Sequence, residues 1–216
     1  MSVRGREQIV AIVAAHKELT GEVVQAARLM ASAGYGAFAA HLDLHRAELN
    51  VAIGEFAIWA ESFGDWAKVD ASWATYPPAT SDPPADPPTL ELENDLRRAR
   101  DALLSRRTAV LATLAGAREA LRAAGLPVDH LTAYRRVVRL WVGEAVDVVT
   151  EVHRLAVADR YLDCLGQLSA EPDTAAAVLR LWMQELQEAD REGELAFAEA
   201  CGYGHLVEAY RSHRAS

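Results

Sequence analysis

The stretch DHLTAYRRVVRLWVGEAVDVVTEVHRLAVADRYL, residues 129–162, decides the fold class. Leu131, Tyr134, Val138, Trp141, Ala145, Val148, Val152, Leu155 and Leu162 recur at steps of three and four, the spacing that gathers side chains on one face of a helix. Val137, Val142, Val146 and Val149 widen that face, which makes this segment the expected most buried helix of the chain. Asp129 is placed to cap its start, where a carboxylate can accept from free backbone N–H groups.

Reading upstream, Gly125 and Pro127 stop a third helix marked by Leu96, Leu103, Val110 and Ala117, with Leu104, Leu111, Leu114 and Leu121 beside them. Before that helix, Tyr76–Thr89 reads YPPATSDPPADPPT. Prolines lack the N–H that a helix needs, so this segment is expected to be an extended, polyproline-like spacer. Ahead of the spacer a first helix carries Ile9, Ile12, Leu19, Val23, Ala26 and Met30, with His16 in the same register. Gly34-Tyr35-Gly36 ends it. A second helix then runs through Phe38, Leu42, His45, Leu49, Ala52, Phe56, Trp59, Phe63, Trp66, Asp70 and Trp73.

Downstream, Pro172 and Asp173 open a fifth helix with Val178, Leu179, Trp182, Leu186 and Phe197 inward, expected to run unbroken to Gly202-Tyr203-Gly204. A short helix follows to about His213. The pattern predicts an all-α, mostly antiparallel bundle of about five long helices plus a short C-terminal helix. Residues 1–75 would form a hairpin, 76–89 the Pro-rich linker and 90–216 a helical bundle, packed with the hairpin as one body. Each GYG is followed at one offset by His-Arg, at His45-Arg46 and His213-Arg214, but identity elsewhere is poor and glycine turns between helices recur for local reasons, so an internal repeat is the lesser reading.

Charge and composition narrow the function. With 22 Lys and Arg against 31 Asp and Glu, the formal charge is −9, the wrong sign for a sequence-independent grip on nucleic acid. No run of ~18 apolar residues exists to span a membrane. The N-terminal segment is interrupted by Gln8, His16, Lys17 and Glu18, unlike a secretory leader, so a cytoplasmic location is expected. Cys164 and Cys201 are too few for a disulfide framework or a thiolate zinc site, and both are expected to be buried thiols. Nucleophile elbows, Walker loops and dinucleotide fingerprints are missing, and no cofactor is expected.

Three constellations remain. His41 and His45 lie one turn apart with Glu48 three residues further on, a spacing that can clasp a metal if other helices supply more ligands. Glu144, Asp147 and Glu151 form an acidic stripe in the apolar core helix, where carboxylates can serve as acids or bases, but Asp147 and Glu151 are expected to pair with Arg106 and Arg107 across an antiparallel turn. The aromatic series Phe56, Trp59, Phe63, Trp66, Trp73 and Tyr76 offers core, cavity or interface, and Phe63, Trp66 and Trp73 are the expected interface residues. The function expected from this balance is protein interaction or scaffolding without catalysis, through a protein partner or self-association. The alternatives are a His/Glu metal-binding enzyme or sensor and a bundle that holds an apolar small molecule.

Overall fold

The computed structural model describes residues 3–61 and 88–214, and every element among them is helical. Helices α1 (Val3–Ser32), α2 (Gly36–Glu61), α3 (Leu90–Ala123) and α4 (Asp129–Gln167) are long, and α5 (Pro172–Glu185), α6 (Glu188–Ala198) and α7 (Gly204–Arg214) are short. The all-α fold class follows from the sequence as expected. The spacer up to residue 87 and the interface residues Phe63, Trp66 and Trp73 lie outside the described residues.

Two compact units emerge from the contacts: Met1–Pro84 with Asn94–His153, and Ala85–Glu93 with Arg154–Ser216. Both boundaries after the spacer fall inside helices, α3 and α4, which each contribute to both units.

In the first unit, α1 and α2 fold back on each other through Gly34, whose φ of 87° is a conformation that costs a Cβ-bearing residue energy. The Tyr35 N–H donates to the Met30 carbonyl at 2.9 Å and the Gly34 N–H to the Ala31 carbonyl at 3.1 Å, so the end of α1 is closed by a Schellman pair. The α3–α4 turn repeats the device. Gly125 has φ 72°, Leu126 donates to Leu121 at 3.0 Å and Gly125 to Arg122 at 2.9 Å. The four helices share a core of Ile9, Ile12 and Leu19 from α1, Leu49, Ile53 and Phe56 from α2, Val110, Leu114 and Leu121 from α3, and Leu131, Tyr134, Val138 and Val142 from α4. Each such aliphatic side chain contributes about 1.5–3 kcal/mol by leaving water.

In the second unit, Trp182 is fully buried and stacks on Tyr161 with ring centroids 5.5 Å apart and planes 7° from parallel. The Arg160 guanidinium lies 4.4 Å from the Tyr161 centroid and is held by the buried carboxylate of Glu93. Leu165, Leu179, Met183, Leu195, Leu206 and Val207 complete this core.

The expected unbroken fifth helix is two helices. Leu186 and Gln187 turn extended, at φ −92°, ψ 149° and φ −66°, ψ 153°. Arg191 makes the break tolerable by donating to the Met183 carbonyl at 2.7 Å and the Leu186 carbonyl at 3.2 Å, groups that the end of α5 would otherwise leave open. The second GYG junction also puts its first glycine at positive φ, Gly202 at 98°, but closes through a π-helical turn over Glu199–Tyr203. Tyr203 there donates to the Leu162 carbonyl at 3.2 Å.

Candidate functional site

The sequence-selected histidines stand in the first unit, where α2 packs against α1 and α4. His41 and Glu48 are exposed while His45 is 1% exposed, so the expected trio is divided between solvent and core. The His41 and His45 rings meet edge to face at 4.6 Å. On its other side His45 lies 5.0 Å from the Trp141 ring, and its Nε2 is 3.8 Å from a Glu144 carboxylate oxygen. That distance is too long for a hydrogen bond. Among the described residues, neither ring nitrogen of His45 has a hydrogen-bond partner. His45 is therefore buried with no hydrogen bond among the described residues. Burial and the neighbouring His41 lower its pKa, against an opposing pull from Glu144. Among the described residues, no three His, Cys, Asp or Glu side chains come together as a metal site.

The three carboxylates of the acidic stripe differ in exposure. Glu144 keeps 45% of its side chain in solvent beside His45, Asp147 is exposed and Glu151 is half-buried. The expected partner Arg106 turns instead to α1, where its Nη1 donates to Glu18 at 2.6 Å and its Nε to Glu22 at 3.4 Å. Arg107 donates to the backbone carbonyl of Arg139 at 3.1 Å. The thiol expectation also changes, because Cys201 is exposed and Cys164 half-buried.

His16, which the sequence places in the register of the first helix, is a polar centre of the core. It is fully buried on α1, with Nδ1 2.6 Å from the Tyr134 hydroxyl of α4 and Nε2 3.1 Å from Oδ1 of Asn50 on α2. A carbonyl oxygen only accepts, so Nε2 carries the proton and donates to Asn50, and Nδ1 accepts from Tyr134. This is the neutral tautomer. Burial lowers the His16 pKa to about 4, against the Asn50 hydrogen bond, and burial also raises the Tyr134 pKa. The network ties three helices in one register, and a fully buried imidazole is out of reach of a substrate. Asn50 lies five residues beyond His45, about 7.5 Å along α2, so the two buried imidazoles belong to different layers.

The surface of α2 opposite this layer is apolar as well. Leu44 is 64% exposed and Val51 60% exposed, and Ala37, Ala40 and Ala47 are exposed beside them. With the half-buried Gly54, these residues step by three and four along the helix. His41, Glu48 and Glu55 flank one side of this seam and Asp43 the other. The signal was present in the sequence but lay behind the core stripe of Leu42, Leu49, Ile53 and Phe56.

The hollow between α1 and α3, about 330 Å³, is lined by Glu22, Gln25, Asp95 and Arg98 together with Ala26, Leu29, Ala99 and Ala102. Charged side chains at such a groove suit water better than an apolar ligand.

No protein-family model matches the chain, and neither curated proteins nor solved structures give a significant match.

Proposed function

We propose that this chain is a helical protein-interaction or scaffold protein that works without catalytic activity, and that the outward face of α2 is its docking surface. The observation that carries the reading is the exposure of Leu44 and Val51 in an apolar 3-4 seam, diametrically opposite the face that Leu42, Leu49, Ile53 and Phe56 bury. An exposed face of that pattern matches the surface a second helix covers in a coiled pair. The buried polar residues support a holding role. His16, Asn50 and Tyr134 fix the register of α2 against α1 and α4, so the seam is presented on a rigid support.

The test is photo-crosslinking, with a benzophenone side chain placed at Leu44, at Val51 or at the exposed Lys17 of α1. Adducts of defined mass are expected from positions 44 and 51, lost when Ala47→Glu puts a charge into the seam, and absent from position 17. Equal yields from all three positions, or adducts indifferent to Ala47→Glu, would refute the docking surface.

A further inference from the structure

Resting on that reading of α2, we propose that the occupant of the seam is α2 of a second copy of this chain, running antiparallel about a two-fold axis between residues 45 and 46. The argument begins with volume. In the heptad set by the seam, the first core position holds Ala37, Leu44 and Val51, and the second holds Ala40, Ala47 and Gly54. An antiparallel pair stacks first positions on second positions. Leu44 would then sit over the partner's Ala47, Val51 over the partner's Ala40 and Ala37 over the partner's Gly54, a large side chain on a small one in the two central kinds of layer. A parallel pair would stack Leu44 on Leu44 and Ala47 on Ala47, crowding one layer and leaving a gap in the next.

Charge selects the same arrangement. In the antiparallel register His41 faces the partner's Glu48, a donor against a carboxylate, and symmetry makes this contact twice. Asp43 faces the partner's Asn50, and no like charges meet across the seam. A parallel pair would instead set Asp43 against the partner's Glu48. Shifting the antiparallel pair by one heptad towards the C-terminus would oppose Glu48 to its own symmetry mate. Volume and charge are independent properties of the sequence, and they choose one register.

The contact runs from residue 37 to residue 54, about 26 Å of helix at ~1.5 Å per residue. An interface of that size is at the small end for stable assemblies, so dissociation is expected on the order of micromolar. His41, Leu44 and Glu48 are all exposed, and their replacement leaves the core untouched.

Sedimentation equilibrium of the full chain over a dilution series tests the proposal. The wild type is expected to dimerise, and Leu44→Glu to be monomeric with an unchanged helical circular dichroism spectrum. His41→Glu and Glu48→Lys should each weaken the dimer by roughly three- to tenfold, since each puts two like-charged or mismatched pairs across the seam. An equimolar mixture of these two variants should associate at least as tightly as the wild type, because both contacts then join opposite partners. A wild type that stays monomeric at hundreds of micromolar overturns the second copy, and so does a dimer that survives Leu44→Glu. A mixture no tighter than its components overturns the antiparallel register. The docking surface itself stands or falls on crosslinking: seam-dependent adducts with other proteins from a monomeric chain would retain it and reject self-pairing.

Discussion

Lowering the pH from 7 to 5 should weaken the unit built around His16 by about 2 kcal/mol through that residue alone. Its folded pKa is about 4, below the ordinary 6.5, because burial penalises the imidazolium. The sign follows from which state binds the proton first. Unfolded chains take it up near pH 6.5 while the folded unit refuses it until about pH 4, so acid favours unfolding across that window. Stability from this residue is complete above the unfolded value, falls by about 1.4 kcal/mol per pH unit between the two, and levels off below the folded value. Carboxylates begin to titrate below pH 5, which makes 7 to 5 the clean interval. The assay is urea denaturation of wild type and His16→Gln at pH 7, 6 and 5, with amide exchange along α1 to assign the transition to this unit. Glutamine does not titrate, so the variant is less stable at pH 7 but loses less on acidification. The lowered His45 pKa acts with the same sign in both proteins and cancels in the difference. Parallel stability curves for the two proteins from pH 7 to 5 would refute the assignment.

Tyr134→Phe removes the donor to His16 Nδ1 and leaves a buried acceptor open, and should cost about 1–3 kcal/mol by denaturant unfolding at pH 7. His45→Leu should do the opposite and raise stability by about 1 kcal/mol, because among the described residues neither ring nitrogen of His45 has a hydrogen bond to lose; a clear destabilisation would mean that the Trp141 and Glu144 contacts outweigh the desolvation. Glu93→Ala strips the buried carboxylate from Arg160, whose guanidinium remains only partly solvated, and should destabilise the second unit by about 2–3 kcal/mol, seen as earlier exchange of α5 and α7 amides. An effect confined to the first unit would contradict the division of contacts around Glu93.

What could be read from the sequence, and what could not, divides along physical lines. Helix ends set by glycine were legible, because Gly34, Gly125 and Gly202 each sit where the backbone turns to positive φ and few other residues go there willingly. The core stripe of α4 was legible for the same kind of local reason, and Leu131, Tyr134, Val138, Val142 and Val152 are all buried. The break at Leu186 and Gln187 was not. No glycine or proline marks it, and the carbonyls it frees are satisfied by Arg191, a side chain from the following helix. Pairing of Arg106 was missed for a related reason. The sequence offered acids on α4 within reach of a simple hairpin, whereas the four-helix core brings Glu18 and Glu22 of α1 closer. His16 shows the same limit, since its worth comes from Asn50 and Tyr134, 34 and 118 residues away.

Helix α2 carries the functional argument because it breaks the usual rule for a surface helix. A helix with one buried side carries charge on the other, as α3 does with Arg97, Arg98 and Asp101 exposed. On α2 the side away from the core holds Ala37, Ala40, Leu44, Ala47 and Val51, and its charges are confined to the flanks. A sequence scan that asks for one apolar stripe per helix finds Leu42, Leu49 and Phe56, assigns them to the core and stops. The second stripe becomes visible only once the core face is fixed, because the residues left over can then be asked what they face. Exposed Leu and Val confer no stability on an isolated unit and raise its tendency to aggregate. Their placement in heptad steps, large beside small from Ala40 to Gly54 and bordered by His41 and Glu48, is the observation on which the proposed pairing rests.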